Sequence, residues 1–264
     1  MINYIKEQKI KSFLKSNNSY FDFELMRENK TISMDGVTRL HDWSVLITEV
    51  GNENEKISVV DVVGFEQRKV EIQEIYGLFS SKSNLSKFSS LHEFAEANCK
   101  HLIGDVSEAQ LHKMLNWYQL PQNGELYSIN QYYWDKNRKY FSNSGGSHHF
   151  AAACYIASKL RRPTFIDAKI TKYGKNYSNL DKLTKNFKIY ILKDLNIKLD
   201  DLLRQYPVKY SWYESPFKLI NKHSSVLTCF NNTRLLFINR HHLKGNRLIS
   251  FLDKMNLIDF GKRI

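Results

Sequence analysis

The residues best placed to do chemistry are Ser144, Gly145, Gly146, Ser147, His148 and His149, followed directly by Phe150-Ala151-Ala152-Ala153. Two glycines, a hydroxyl and two imidazoles stand at the start of an alanine-rich helix. The first N–H groups of a helix lack internal partners, and the helix dipole is positive at that end. Glycine lets the backbone approach a ligand without a Cβ in the way. The pattern is a phosphate cradle: it attracts an anion and offers His148 and His149 for contact or proton transfer. Replacing Gly146 by Val is expected to abolish such binding while leaving the chain folded.

Other groups offer weaker chemistry. Asp135 and Glu125 precede the loop and could hold Mg2+ or act as a base, since magnesium needs only one or two carboxylates beside phosphate oxygens. Asp135 is the carboxylate we take as the catalytic candidate. Tyr127, Tyr132, Tyr133, Trp134, Tyr140 and Phe141 could stack a base or pack a core. Arg161 and Arg162 suit a helix C-terminus. Arg240, Lys244 and Arg247, with His241-His242 among them, could extend a surface for nucleic acid. His41-Asp42 has the composition of a catalytic pair, but adjacent residues on a strand point to opposite faces.

The elements that must position these residues are mixed. Residues 2–15 read as a short helix. Trp43–Thr48, a turn at Gly51–Asn54 and Ile57–Val63 read as a hairpin. Ser90…Glu93 and Ser107…Gln110 look like capping boxes that open helices. Pro121–Gly124 ends the second. Tyr127–Trp134 is a strand, Lys136–Arg138 a turn, and Tyr140-Phe141 leads into the glycine loop. In the helix that follows, Phe150, Ala153, Cys154, Ala157 and Leu160 share one face, and Arg161-Arg162-Pro163 stops it. Phe165–Ile170 is a strand. Residues 180–203 read as largely helical. Val226–Phe230 and Arg234–Ile238 flank Asn231-Asn232 as a second hairpin, and Leu248–Leu252 is a last short helix. The order implies an α+β fold with a small mixed sheet.

Composition bounds the classes. The chain has 264 residues, enough for a sizeable core, with 42% apolar and 13% aromatic residues. A disordered chain would be poorer in both. The net charge of +12 favours acidic partners: nucleotides, DNA or RNA. Cys99, Cys154 and Cys229 are odd in number and widely spaced. This fits a reduced cytoplasmic protein and neither a disulfide scaffold nor a zinc site, and no metal ligand set is read from the chain. Cys154 is expected to be a core residue. No stretch is long and apolar enough to span a bilayer, and no membrane partner is expected.

The segment Ser144–Ala152, with its strand and turn before and short strand after, resembles the signature of the ParB/sulfiredoxin superfamily over roughly residues 107–172. The resemblance implies a core at 107–172 between extensions at 1–106 and 173–264, with one compact domain over the whole chain as the alternative. It also implies ATP, ADP or CTP phosphates at Gly145, Gly146, Ser147, His148 and His149. Ser147 stands where sulfiredoxins carry cysteine, so peroxiredoxin repair is not expected. His149 stands where Arg is usual and holds phosphate more weakly. The expected function is nucleotide binding with phosphoryl transfer or nucleotide hydrolysis, Mg2+ accompanying the nucleotide. A nucleic-acid-binding protein or nuclease, as on a mobile element or in phage defence, is the alternative.

Overall fold

The computed structural model describes residues 7–12, 23–25, 31–34, 44–47, 55–192, 197–204, 208, 210–214, 219–221, 229–230, 234–255 and 257–262. Its strands and helices run β1 (Phe23–Leu25), β2 (Ser44–Ile47), β3 (Glu55–Ser58), β4 (Val60–Glu71), β5 (Ile75–Leu78), α1 (Leu91–Asn98), α2 (Lys100–Ile103) and α3 (Glu108–Leu115). Then come β6 (Tyr127–Tyr132), β7 (Arg138–Phe141), α4 (Ser147–Leu160), β8 (Phe165–Lys175), α5 (Tyr177–Asn186), β9 (Phe187–Leu192) and α6 (Ile197–Arg204). The chain closes with β10 (Tyr210–Glu214), β11 (Leu219–Asn221), β12 (Cys229–Phe230), β13 (Arg234–Asn239), α7 (Leu243–Asp253) and β14 (Ile258–Asp259). The fold is α+β.

Two compact units divide the chain. One holds Met1–Arg27, Trp43–Val59 and Asn176–Ile264; the other holds Glu28–Asp42 and Val60–Lys175. The segment 107–172 lies in the second unit, whose sheet also takes in β4 and β5.

The second unit is built on a mixed five-stranded sheet in the order β4-β8-β6-β7-β5. β4 pairs antiparallel with β8 through a bulge at Val62/Gly64, β8 runs parallel to β6, and β7 runs parallel to β5. Residues 31–34 lie along the free side of β5: Leu78 N–H donates to Ile32 O at 2.8 Å and Met34 N–H to Leu78 O at 3.0 Å. On one face Val70, Ile129, Ile166 and Ile170 pack in one core with Phe150 and Ala153 of α4. Ala151, Ala152, Ala153 and Ala157 are all buried. α4 packs against α1, α2 and α3, so an alanine run buried all round is what its place demands. Cys154 is buried among them as expected, and Cys99 is buried too. Burial pushes the Cys99 thiol up to about 12 and moves Cys154 the same way.

Both serine caps form, but neither box closes. Ser90 Oγ accepts from Glu93 N–H, while the Glu93 carboxylate takes Ser89 N–H at 2.8 Å. Ser107 Oγ accepts from Gln110 N–H, while the Gln110 amide donates to Leu102 O. α4 ends where Arg161 turns left-handed at φ +53° and Arg162 N–H donates to Ala157 O.

In the first unit β2 and β3 pair antiparallel, the turn expected at Gly51–Asn54 lies outside the described residues, Val60–Val63 of the expected return strand belong to β4, and residues 7–12 are helical. A four-stranded antiparallel sheet runs β10-β13-β9-β14. Two expectations are corrected here. Residues 180–203 are helical only toward their two ends: α5 stops at Asn186, Phe187–Leu192 is a strand buried along its whole length, and α6 begins at Ile197. A strand buried on both faces shows no polar alternation, so its apolar run reads as helix as easily as strand. Among the described residues of the second expected hairpin, β12 pairs with β11 and β13 pairs with β9 and β10, not with each other; residues 226–228 and 231–233 lie outside them. The last helix, α7, is longer than the five residues read from sequence.

Candidate functional site

β5 and β7 run parallel and adjacent, so the loops that follow them leave the same edge of the sheet. That edge is where parallel strands usually place ligands. One side chain ties the two loops together. Asn143, 3% exposed, accepts from Phe79 N–H at 3.2 Å and Ser80 N–H at 3.1 Å through Oδ1. Its Nδ2 donates to Ser80 O at 2.8 Å and Gly145 O at 3.0 Å. The sequence reading missed Asn143; an asparagine between a strand and a Gly-Gly turn was the available signal.

Gly146 precedes α4 at φ +68°, a left-handed conformation. A Cβ there would stand 2.7 Å from Leu120 Cδ2. Its N–H donates to Gln119 Oε1 at 3.2 Å. The close approach that glycine permits is therefore to the segment after α3, and Gly146→Val is a folding lesion as well as a loss at the loop. The expectation that this variant stays folded is corrected on that ground.

Gly146 has no side chain to cap α4, and among the described residues no acceptor serves the N–H groups of Ser147, His148 and His149. Ser144 is exposed beside them, Gly145 is half-buried and Ser147 is 6% exposed. A chain of hydroxyls and imidazole crosses the helix start. Ser83 Oγ lies 3.0 Å from His148 Nε2, and His148 Nδ1 lies 3.3 Å from Ser147 Oγ. Ser147 O–H donates to Ser81 Oγ at 3.1 Å, and Ser83 N–H donates to the same oxygen at 3.2 Å. The His148 ring leans on Phe94 at 5.2 Å between centroids. His149 stacks flat on Trp117, 3.9 Å away and 6° from parallel. Trp117 Nε1 donates to the Gln119 Oε1 that also takes Gly146 N–H.

Both imidazoles are held below their usual pKa. Burial is the first cause for each; His101 and Lys82 add positive charge at His148, and His148 and His101 at His149. The loop is thus half-buried, with imidazoles that favour their neutral form and Lys82 as its positive charge. An anion there would meet Lys82 and would favour protonation of the imidazoles.

The other sequence candidates lie elsewhere. Asp135, 2% exposed, accepts from Tyr140 O–H at 2.6 Å and from Arg138 at 3.3 Å. It sits in the turn that precedes β7, while Asn143 and the glycine loop follow β7. A four-residue strand spans about 10 Å or more, so Asp135 is a turn carboxylate and does not fit a magnesium ligand at the loop. Among the described residues no group of three His, Cys, Asp or Glu could hold a metal. Glu125 is exposed and accepts from Gln122 N–H.

The aromatic set divides between the two sheet faces. Tyr127 and Phe141 pack with Phe150, while Tyr132, Tyr140 and Trp134 gather with Met34 on the opposite face. Tyr133 is exposed. The aromatic rings at the loop are Trp117 and Phe94, which sequence reading passed over. Arg161 is exposed, and Arg162 pairs with Glu108 of α3.

Arg240, Lys244 and Arg247 belong to the first unit. Arg240 Nε donates to Thr184 O at 3.0 Å, Arg247 pairs with Glu7 at 3.4 Å, and Lys244 is exposed. His241 Nε2 meets Asn186 Oδ1 at 2.9 Å. His41-Asp42 and the side chain of Cys229 lie outside the described residues.

A mixed sheet with a helix start at its edge defines an α+β fold without defining a reaction. Residues 65–264 match a family described as a family of unknown function, DUF6685, and the chain belongs to it. Neither a curated protein nor a solved structure matches the chain. No helix among the described residues is long and apolar enough to cross a membrane.

Proposed function

We propose that this protein binds a nucleotide, ATP, ADP or CTP, through its phosphates at the start of α4, and that its chemistry is phosphoryl transfer or nucleotide hydrolysis. One observation carries the reading. Uncapped amides of Ser147, His148 and His149 stand with the hydroxyls of Ser81, Ser83 and Ser147 in a half-buried loop beside Lys82. Helix N-termini favour phosphate through their dipole and free N–H groups. Ser81 Oγ already accepts two hydrogen bonds, so its own proton is available to a phosphate oxygen. The order β6, β7, Gly-Gly, α4, β8 also supports a ParB/sulfiredoxin-like core. Buried free thiols at Cys99 and Cys154 suit a cytoplasmic protein.

Nucleic-acid binding draws less support. Two of the three basic residues proposed for it, Arg240 and Arg247, are spent on Thr184 O and Glu7. The test is thermal stabilisation by ATP, ADP, CTP, GTP and inorganic phosphate, each with and without Mg2+. Binding raises stability by mass action. A selective shift, weakened in Lys82→Ala and His149→Ala, is expected. No shift with any ligand overturns the reading, and binding of DNA or RNA that falls steeply with salt would replace it.

A further inference from the structure

The hydroxyls around His148 accommodate the tautomer that carries its proton on Nδ1. Ser147 Oγ has a single proton, and in this arrangement it goes to Ser81 Oγ. The 3.3 Å contact between Ser147 Oγ and His148 Nδ1 is then a hydrogen bond only if Nδ1 carries the proton. Nε2 is left as the unprotonated nitrogen, and it lies 3.0 Å from Ser83 Oγ. The geometry is that of a hydroxyl nucleophile with its base in reach, the base oriented by a third group.

We propose that Ser83 is a phosphoryl acceptor and His148 its general base, so that the protein phosphorylates itself at Ser83 from a bound nucleoside triphosphate. The step rests on the nucleotide reading above. Ser83 Oγ attacks the γ-phosphorus while its proton passes to His148 Nε2. The new Oγ–P bond forms as the bond from γ-phosphorus to the β,γ-bridging oxygen breaks, and the electron pair leaves with the nucleoside diphosphate. The imidazolium then returns its proton to solvent.

Three features suit this step. Burial and the neighbouring Lys82 and His101 favour neutral His148, the form a base requires. The base is the second residue of α4, directly beside the uncapped amides that favour a transferring phosphoryl group. The phosphoserine produced would stay at a helix start and next to Lys82, both of which stabilise its charge. The Ser147 hydroxyl orients the base through His148 Nδ1.

The test uses the full chain with γ-labelled ATP and Mg2+, read by intact mass and by mapping the labelled peptide. Label is expected on Ser83, absent in Ser83→Ala, and acquired at least about 100-fold more slowly in His148→Asn. The labelling rate of the wild type should fall as pH drops and His148 protonates. Mapping on the wild type decides the site even where a variant folds poorly. Nucleotide-dependent stabilisation with no label, or with label on another residue, overturns the Ser83 assignment and leaves the nucleotide reading intact. Absence of any nucleotide-dependent stabilisation overturns both.

Discussion

Gly146 and the two histidines after it respond to substitution and to pH in ways their surroundings dictate. At φ +68°, with Leu120 Cδ2 standing 2.7 Å from where a Cβ would be, Gly146→Ala adds left-handed strain to an overpacked contact. The sum is about 2–4 kcal/mol of lost stability in urea unfolding. Trimming Leu120 to Ala should recover part of this in the double variant; strict additivity of the two losses would show that the contact is not the cause. His148 and His149 act through protonation. Their folded pKa values lie below the usual one near 6.5, so the unfolded chain takes up protons first as the solution is acidified. Stability is then full above about pH 6.5 and is lost as pH falls below it through the folded values. Urea midpoints at pH 7.5 and 5.5 should differ more for the wild type than for a His148→Asn, His149→Asn variant. Equal differences would mean that these groups do not carry the effect. The residue types at this loop were readable in sequence because Gly, Ser and His are uncommon together at a helix start. Most of their partners were not: Ser81, Ser83, Trp117 and Gln119 arrive from segments tens of residues away, and no local spacing announces them.

At the scale of elements, the loop depends on two parallel strands being stapled at their ends. Asn143 makes that staple with four hydrogen bonds, two accepted and two donated. In Asn143→Ala the Ser80 N–H loses its acceptor in a half-buried place, and Ser80 O and Gly145 O lose their donor. A buried polar group left unpaired costs about 1–3 kcal/mol, so a loss of about 2–4 kcal/mol is expected, with faster amide exchange at residues 79–83. Exchange unchanged in that loop would remove Asn143 from the account. Elements with strong local signals were legible: the caps at Ser90 and Ser107, the helix after Gly146 and its stop at Arg161-Arg162-Pro163, and the β2–β3 pairing. β9 was not. Its residues are buried on both faces between β13 and β14, and its lysine, Lys188, is paired at 2.9 Å with Asp253 and 2.8 Å with Asp259. A central strand carrying a neutralised lysine has neither the alternation of a surface strand nor a clean apolar run. β12 and β13 misled for a different reason: two apolar runs around Asn-Asn satisfy the hairpin pattern, but β12 pairs with β11 and β13 is taken into the sheet of β9 and β10.

At the scale of the molecule, the unit that holds the loop is discontinuous in sequence, and this sets what a fragment can do. Its sheet joins β4 to β8 across a hundred residues, Lys69 meeting Asp167 at 3.2 Å. Ile32 and Met34 complete its edge from before the β2–β3 pair. A core read from a motif alone, 107–172, therefore omits β4, β5 and the serines of the loop after β5. The family match begins at residue 65, inside β4, and likewise leaves out the segment at 31–34. Every described member of the loop, from Ser81 to His149, and the whole buried core around α4 lie between residues 32 and 170. A fragment of residues 28–175 should accordingly unfold cooperatively and keep the nucleotide-dependent stabilisation of the full chain. Residues 65–175 alone, without the strand segment that covers β5, should be less stable, because Leu78 and Phe88 lose backbone partners at Ile32 and Met34. Calorimetry of the two fragments separates the outcomes. If 28–175 fails to fold while the full chain is stable, the sheet draws its stability from residues 176–264. If 65–175 matches 28–175, the segment at 31–34 contributes nothing to it.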